Sequence, residues 1–340
     1  MKRILLTGGA GFIAHHTIRH LLQNTDWEIV SLDRLDYSGN LNRISDMMLE
    51  FDKETQQRVR IVYHDLRAEL NEMLCADLGD FDYIVHMAAS SHVDRSIEDP
   101  MCFVLDNVVA TCNILNFGRK QKNLERFIYF STDEVFGPAP KGVNYKERDR
   151  YNSTNPYSAT KAGGEELSVA YENTYGLPIY ITHTMNVFGE RQHPEKFIPM
   201  CIKKIRDGEP VTIHSDKTKK IPGSRHYIHA EDVAEAIHFI LTNKFEKEID
   251  FGGAKCPKFN IVGAEELNNL ELAQIIANCQ NKELKYEMVD FHSSRPGHDL
   301  RYSLSGEKMQ KLGWQPSIKL TQRIKQVVEW SLNNQNWIEL

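Results

Sequence analysis

The sequence predicts an α/β fold, a doubly wound parallel sheet with a smaller mixed α/β lobe after it, and two patterns carry this prediction. Short apolar runs alternate with longer amphipathic segments from the start of the chain. The runs are continuously apolar, which is typical of parallel strands buried on both faces. Because the intervening segments are long enough for crossover helices, the strands are expected to lie side by side in one sheet.

The strands and helices of the sheet are expected in the first half of the chain. The first strand is KRILLTG, and the helix after it places Ile13, Thr17 and Leu21 at helical spacing. A second long helix is expected at DNVVATCNILNFGRK. The other strands are EIVSLD, VRIVYHD, DYIVHMA, RFIYFST and PIYITHT.

The regular alternation of predicted strands and helices ends at about residue 185, and prolines become frequent after it. We therefore predict a first domain over 1–185 and a mainly substrate-binding lobe over 186–340. Residues from about 226 to 262, which include the helical segment HAEDVAEAIHF, are expected to return to the first domain.

The composition predicts a cytoplasmic protein with a large core. The chain has 340 residues, 41% of them hydrophobic, and a net charge of −6, so it has no basic footprint for nucleic acid. No run has the length needed to span a bilayer, and the apolar run after Met1 is too short for a signal peptide. Six scattered cysteines without a CxxC pair predict free thiols in a reducing compartment and no metal site.

A glycine-rich segment, TGGAGFIA, joins the first strand to the first helix. Gly8, Gly11 and Ala14 have the spacing of a dinucleotide-binding loop of the Rossmann type. Small residues are needed there because the backbone turns sharply and a pyrophosphate must approach the helix N-terminus.

Asp33 ends the second strand, where a carboxylate accepts hydrogen bonds from the adenosine ribose. The same carboxylate repels a 2′-phosphate, so NAD is predicted in preference to NADP. Arg34, the next residue, is a cation that could instead bind that phosphate. The matching ends of the third and fourth strands supply further candidates for the cofactor site. The predicted cofactor-binding residues are Gly8, Gly11, Phe12, Ile13, Asp33, Arg34, Asp36, Asp65, Leu66, Ala88, Ala89, Ser90, Tyr157 and Lys161.

Tyr157 and Lys161 lie one helical turn apart in NPYSATKAGG, so they share a helix face. An ammonium near a phenol is expected to stabilise the phenolate and lower the pKa of the tyrosine. Such a tyrosine can accept the proton of a sugar hydroxyl.

Two adjacent carboxylates, Asp133 and Glu134, follow Thr132 at the end of the fifth strand, in FSTDEVFG. Strand interiors disfavour Asp, and neighbouring carboxylates repel each other. A functional reason for this pair is therefore expected.

Together these motifs resemble the extended short-chain dehydrogenase/reductases, and among them the nucleotide-sugar 4,6-dehydratases of the dTDP-glucose type. The resemblance spans nearly the whole chain. It rests on the segments STDEVFG, SSHVDRSI, NPYSATKAG, NVFGERQHPEKFIP and RPGHDLRYSL.

The resemblance implies a lyase that converts a nucleoside-diphosphate glucose to its 4-keto-6-deoxy sugar. It makes Thr132, Asp133, Glu134, Tyr157 and Lys161 the catalytic residues, with Asp133 as the acid and Glu134 as the base. It also implies a homodimer formed by helices near 101–118 and 157–175. The implied substrate-binding residues are Ser91, His92, Asn186, Glu195, Lys196, Arg225, Asn260, Arg295, His298 and Tyr302.

Several alternatives remain open from the sequence. A segment of about four extra residues within 217–224 lies close to the expected nucleotide-binding region, so uridine competes with thymidine as the base. A 4-epimerase or decarboxylase of the same fold is a rival, and the resemblance implies that the 4-epimerases have small or apolar residues in place of Asp133 and Glu134. A catalytically silent NAD-binding regulator would have lost Tyr157, Lys161 or the acid pair, and all four residues are present.

Overall fold

The structure is a computed structural model in which residues 1–246, 248–250, 253–290 and 300–339 are described, with side chains described outside 248–250 and 253–255. The chain divides into two compact units. Unit 1 consists of Met1–Val135, Asn155–His183 and Ala234–Phe259, and unit 2 of Phe136–Thr154, Thr184–Val233 and Asn260–Leu340.

A seven-stranded sheet forms the centre of unit 1, in the order β12-β6-β5-β4-β1-β2-β3. Strand β1 pairs in parallel with β2 and β4, with Leu5 opposite Val30 and Leu6 opposite Val85. Strands β2 with β3 and β4 with β5 are also parallel. The strands are β1 (Arg3–Thr7), β2 (Glu28–Asp33), β3 (Val59–Tyr63), β4 (Tyr83–His86), β5 (Arg126–Thr132), β6 (Ile179–Thr184) and β12 (Lys258–Ile261). The predicted α/β fold with a doubly wound parallel sheet is confirmed.

The crossovers between these strands contain most of the helices. They are α1 (Phe12–Asn24), α2 (Leu41–Met48), α3 (Lys53–Gln57), α4 (Glu72–Leu78), α5 (Val93–Glu98), α6 (Pro100–Val104), α7 (Ala110–Gly118), α8 (Pro156–Tyr175) and, further along the chain, α10 (Ala230–Thr242). A short antiparallel pair, β10 (Glu248–Asp250) and β11 (Gly253–Lys255), follows α10. The core of the unit includes Leu5, Ile84, Ile114 and Phe127, all fully buried.

A π-helical turn, Leu105–Val109, joins α6 to α7 and makes one helix of Pro100–Gly118. This helix has the length and apolar composition to cross a membrane, which corrects the expectation that no segment of the chain does. Half of its most apolar window is buried inside the protein, and core helices of soluble proteins meet the same criterion.

Unit 2 has a separate core with Phe188, Ile202, Ile213 and Ile276. Its three-stranded sheet has the order β13-β9-β7, and β14 pairs in parallel with β8. The strands are β7 (Asn186–Phe188), β8 (Val211–Ser215), β9 (Ser224–His229), β13 (Glu266–Asn268) and β14 (Tyr286–Asp290). The helices are α9 (Phe197–Asp207), α11 (Asn269–Cys279), α12 (Glu307–Lys311) and α13 (Leu320–Asn333).

The segment 217–224, where the sequence suggests an insertion, forms a tight turn before β9. The Asp216 carboxylate accepts hydrogen bonds from the backbone N–H groups of Lys220 and Ile221 and from the Thr218 hydroxyl. Lys217, Lys219 and Lys220 are exposed, as expected for a solvated charge run.

Candidate active site

The glycine-rich turn after β1 has the geometry that a dinucleotide needs. Gly8 adopts φ +74°, a left-handed conformation that favours glycine. A Cβ atom on Gly8 would lie 2.9 Å from the backbone Cα and N atoms of Ala88, so a larger residue would separate the turn from the end of β4. The turn is held to β2 by a 2.8 Å hydrogen bond from the Gly8 N–H to the Leu32 carbonyl.

Gly11 is the N-cap residue of α1, and glycine brings no side chain to this position. A Cβ atom there would lie 2.8 Å from the Gly8 carbonyl oxygen. The unpaired N–H groups of a first helical turn attract anions, and the turn leaves the backbone accessible to a pyrophosphate. The residues present therefore fit a dinucleotide such as NAD.

Asp33 is buried at the end of β2 and organises the turn. Its Oδ2 accepts a 3.0 Å hydrogen bond from the Ala10 N–H, and its Oδ1 accepts one of 2.8 Å from the Leu35 N–H. Burial raises the pKa of this carboxyl group. Each carboxylate oxygen has a second lone pair with which it can accept a ribose hydroxyl.

An open cleft of about 590 Å³, including its mouth, lies at the ends of the first strands of unit 1. Most of the predicted cofactor residues line it, but Phe12, Ile13, Tyr157 and Lys161 are not among the lining residues. The predicted residues in the lining are Gly8, Gly11, Asp33, Arg34, Asp36, Asp65, Leu66, Ala88, Ala89 and Ser90. The residues that the sequence did not indicate are Leu32, Ser38, Gly39, His64, Met87, Asp106 and Ala110.

The catalytic candidates after β5 lie in a 3₁₀ turn, Asp133–Phe136, directly beyond the buried strand. The Thr132 hydroxyl donates to Asp133 Oδ1 at 3.0 Å, and it accepts from the Glu134 N–H at 3.4 Å. Thr132 and Asp133 are both buried. Thr132 therefore orients the Asp133 carboxylate and holds the backbone of Glu134.

Asn155, which the sequence did not indicate, connects this turn to helix α8. Its side-chain oxygen accepts from the Ser158 N–H at 2.8 Å, and with the Ser158 hydroxyl it forms a capping box at the N-terminus of α8. Its amide nitrogen donates to Glu134 Oε2 at 3.1 Å. Asn155 therefore joins the Glu134 carboxylate to the N-terminus of α8.

Tyr157 is buried at the start of α8 and packs against Val93 and Phe103. The Thr132 side chain is close enough to the phenol to lower its pKa slightly. Burial, followed by the nearby charge of Glu134, raises the pKa of Tyr157. The expectation of a lowered pKa is therefore wrong for this state of the protein, because the phenolate would be buried near carboxylates.

Lys161 lies one turn further along α8 and is also buried. Its Nζ donates to the Phe130 carbonyl at 2.6 Å and lies 4.5 Å from the centre of the Tyr129 ring. Burial lowers the pKa of Lys161 to about 7. Its ammonium group is thus held beside β5 by a backbone carbonyl.

We expect the Lys161→Met variant to be more stable than the wild type at pH 7, by about 2–4 kcal/mol in free energy of unfolding. The pKa of Lys161 is lowered from 10.5 to about 7, so between these values the unfolded chain binds a proton that the folded chain does not. Wild-type stability should therefore rise with pH through this window relative to the variant. Urea unfolding at pH 7 and pH 10 measures the difference, which should shrink at pH 10.

The Lys120→Met variant is the matched control for this experiment, because the Lys120 side chain is 56% exposed whereas that of Lys161 is buried. A stability difference between wild type and Lys161→Met that does not change with pH would contradict the assignment.

Two predicted substrate-binding residues lie in unit 1, and their surroundings differ. Ser91 is exposed, whereas His92 is half-buried and is the N-cap residue of α5. Both follow β4 directly after the cleft residue Ser90.

The remaining substrate-binding candidates lie in unit 2 or outside the described residues. Lys196 is the N-cap residue of α9, and the guanidinium of Arg225 lies 4.7 Å from the ring of the buried Tyr302. Asn186 is half-buried and Glu195 exposed. Arg295 and His298 lie outside the described residues.

Asn260 is fully buried in unit 2, and its amide nitrogen donates to the carbonyls of Tyr145 and Ser305 at 3.1 and 3.2 Å. Its backbone N–H donates to Glu147. These contacts hold the chain segments around Asn260 together, which is a structural role that the sequence did not predict.

Comparison with known proteins agrees with this architecture. The sequence profile of the family described as GDP-mannose 4,6 dehydratase matches residues 5–327. A dTDP-glucose 4,6-dehydratase from Salmonella typhimurium is 34% identical over 361 residues, which cover 99% of this chain and 94% of that protein. The crystal structure of DesIV, a dTDP-glucose 4,6-dehydratase from Streptomyces venezuelae with NAD bound, has a TM-score of 0.85 at 33% identity and covers 98% of both chains.

The chain is also similar to a plant protein whose name refers to UDP-glucose instead of dTDP-glucose. The trifunctional UDP-glucose 4,6-dehydratase/UDP-4-keto-6-deoxy-D-glucose 3,5-epimerase/UDP-4-keto-L-rhamnose-reductase of Arabidopsis thaliana is 34% identical over 341 residues. The match covers 99% of this chain and 48% of that protein.

The parallel sheet, the glycine-rich turn and the Tyr157–Lys161 pair define an enzyme of the short-chain dehydrogenase/reductase superfamily. Within that superfamily, the chain belongs to the family of nucleotide-sugar 4,6-dehydratases that the matching profile describes. The family predicted from the sequence is thereby confirmed, and with it the class of enzyme, a hydro-lyase.

Proposed function

We propose that the protein catalyses the NAD-dependent dehydration of a nucleoside-diphosphate glucose to the 4-keto-6-deoxy sugar. The observation that supports this most strongly is the grouping of Asp133 and Glu134 with Thr132 and Tyr157 at the end of β5. Oxidation and epimerisation at C4 need only a tyrosine-type base, whereas the loss of water from C5 and C6 also needs an acid and a second base.

Each group has a separate role in the proposed reaction. Tyr157 accepts the proton of the sugar 4-hydroxyl, to which Thr132 also donates or accepts a hydrogen bond. Once C4 is a ketone, the C5 proton becomes acidic and Glu134 removes it, while Asp133 donates a proton to the departing C6 hydroxyl. When bound, NAD would accept the hydride from C4 and return it to C6 in place of the departed hydroxyl, and C5 would regain a proton.

The ammonium of Lys161 lies on the same helix face as Tyr157 and supports this proton transfer. Its position beside the Phe130 carbonyl keeps a positive charge under the site when it is protonated. A positive charge near a phenol favours the phenolate, which opposes the effect of burial on Tyr157.

The glucose nucleotide is proposed to carry thymidine, because the dTDP-glucose enzymes from Salmonella and Streptomyces are similar over nearly the whole chain. UDP-glucose is the second candidate, since the Arabidopsis UDP-glucose enzyme has the same identity over 99% of the chain. The unit 2 residues proposed to bind the nucleotide are Asn186, Glu195, Lys196, Arg225 and Tyr302.

The proposed function is tested by side-by-side kinetics with dTDP-glucose and UDP-glucose. Alkali-induced absorbance of a 4-keto-6-deoxy sugar is the expected readout, with the higher kcat/KM for dTDP-glucose. A higher kcat/KM for UDP-glucose would show that the substrate carries uridine, and the proposed reaction would be unchanged. Recovery of UDP-galactose without any keto sugar would replace the dehydratase by a 4-epimerase.

We also propose a homodimer in the cytoplasm, for which the apolar face of helix Pro100–Gly118 is the supporting feature. Met101 is 62% exposed, and Val104 and Leu105 are 36% exposed, although the helix packs on α8 along its other side. A contiguous exposed apolar face marks an interaction surface, and a second copy of the chain is the partner that we expect. Free cysteines in the described residues suit a reducing compartment.

We expect Val104→Glu to convert the dimer to a monomer, because each subunit would bury an unpaired carboxylate at the interface. Light scattering should give twice the chain mass of 39.2 kDa for the wild type and the chain mass for the variant. Met73→Glu, at a residue 85% exposed on α4, is the control and should remain a dimer. A wild-type protein that scatters at 39.2 kDa would contradict the proposal.

A further inference from the structure

An ion-pair cluster lies at the end of the cleft where Asp33 is positioned to bind the adenosine ribose. We call it the Asp106 cluster, and it consists of Arg34, Asp36, Arg67, Ser90 and Asp106. Four of these residues, all except Arg67, line the cleft. They come from four separate places in the chain, the ends of β2, β3 and β4 and the π-helical turn Leu105–Val109.

Asp106 is the centre of this cluster and its side chain is 4% exposed. Its Oδ1 accepts from Arg34 Nη1 at 2.5 Å and from Arg67 Nε at 2.6 Å. Its Oδ2 accepts from Arg34 Nη2 at 2.8 Å and from the Ser90 hydroxyl at 2.6 Å. π-Helical turns occur frequently at functional sites, and here the turn presents a carboxylate to the cleft.

Every nitrogen of the Arg34 guanidinium donates to a carboxylate of Asp36 or Asp106. The guanidinium forms a fork of two hydrogen bonds with Asp106, its Nε donates to Asp36 at 2.8 Å, and its Nη2 also contacts Asp36. Asp65 lies 3.5 Å from Nη1. A forked contact with a carboxylate uses the same donors that a phosphate would need.

The charges around Asp33 therefore disfavour a phosphate. The 2′-phosphate that distinguishes NADP from NAD carries about −1.5 to −2 charges near neutral pH, as phosphate monoesters do. It would approach Asp33, Asp36, Asp65 and Asp106, while the guanidinium of Arg34 is already paired with two of them. An arginine beside the ribose is otherwise the group that accommodates this phosphate.

We propose that Asp106 is a cofactor-specificity residue, which excludes NADP by holding the Arg34 guanidinium in a forked ion pair. Asp33 alone does not determine the choice in this protein, because Arg34 follows it directly in the chain. The geometry assigns the choice between NAD and NADP to Asp106, which lies 72 residues after Arg34 in the chain.

The proposal rests on the proposed function only in that a nicotinamide dinucleotide binds in this cleft. Its test is therefore a binding measurement with no sugar substrate: the dissociation constants of NAD and NADP are measured for the cofactor-free protein by calorimetry. In Asp106→Asn we expect the ratio of the NADP constant to the NAD constant to fall by at least about 10-fold, the usual worth of one hydrogen bond to a charged group. Asp77→Asn removes an exposed negative charge from the same unit, and its ratio should remain that of the wild type.

A double variant, Asp106→Asn with Arg34→Ala, identifies the group responsible. If the released guanidinium binds the phosphate, the double variant should lose the gain in NADP binding. The proposal would be overturned if the ratio of the NADP to the NAD dissociation constant in a folded Asp106→Asn protein stayed within about twofold of the wild type. It would also be overturned if the double variant kept the gain in NADP binding.

If Asp106→Asn does not fold, the half-exposed Asp36 gives the second test. Asp36→Asn should lower the same ratio, by less than the full 10-fold, and an unchanged ratio would overturn the proposal. Failure of the proposed function has a different result: the wild-type protein would bind NAD but would form no 4-keto-6-deoxy sugar.

Discussion

The Glu134→Gln variant is expected to lose at least about 100-fold in turnover while still binding NAD, which is the usual contribution of a general base. Glutamine can accept the hydrogen bond from the Asn155 amide that Glu134 accepts at 3.1 Å, so the turn after β5 should keep its shape. It cannot accept the C5 proton of the sugar. The rate of 4-keto-6-deoxy sugar formation and calorimetric binding of NAD measure the two effects separately.

The Glu166→Gln variant is the control, because Glu166 is an exposed glutamate on the same helix as the Tyr157–Lys161 pair. It should keep wild-type turnover. Near-normal turnover in Glu134→Gln would show that another group removes the C5 proton.

The Tyr157→Phe variant is expected to lose about 1,000-fold or more, within the range for a group whose proton transfer accompanies bond breaking. The phenylalanine keeps the ring that packs against Val93 and Phe103, so folding should be preserved. The hydroxyl that lies near Thr132 and would accept the sugar proton is lost. Turnover and the melting temperature together separate a chemical effect from a structural one.

The two variants should fail at different steps, which makes the pair more informative than either alone. In Glu134→Gln, the sugar can still be oxidised at C4, so mixing with substrate should produce the near-ultraviolet absorbance of reduced nicotinamide. In Tyr157→Phe, that absorbance should not develop. Absorbance in both variants would contradict the role of Tyr157, and its absence from both would contradict the order of the steps.

Much of the site could be predicted from the sequence because its residues follow recognisable elements. Gly8, Asp33 and Ala88 lie at or within two residues of the ends of parallel strands, whose carboxyl ends share one edge of the sheet. Tyr157 and Lys161 are separated by one helical turn, so their common face follows from helix geometry.

Contacts between distant segments could not be predicted in this way. Nothing in the sequence pairs Arg34 with Asp106, because the ion pair depends on how a π-helical turn is placed beside the sheet. The sequence did not indicate Asn155, because its contact with Glu134 joins two segments that are 21 residues apart in the chain. The raised pKa of Tyr157 likewise depends on burial, which spacing along the chain does not report.

The most direct test of the central claim uses dTDP-glucose that carries deuterium at C4. If Tyr157, Glu134 and Asp133 act as proposed around one bound NAD, the product is a 4-keto-6-deoxy sugar with that deuterium at C6 and a solvent-derived hydrogen at C5. Deuterium that remains at C4, in a product that keeps its C6 hydroxyl, would contradict the account.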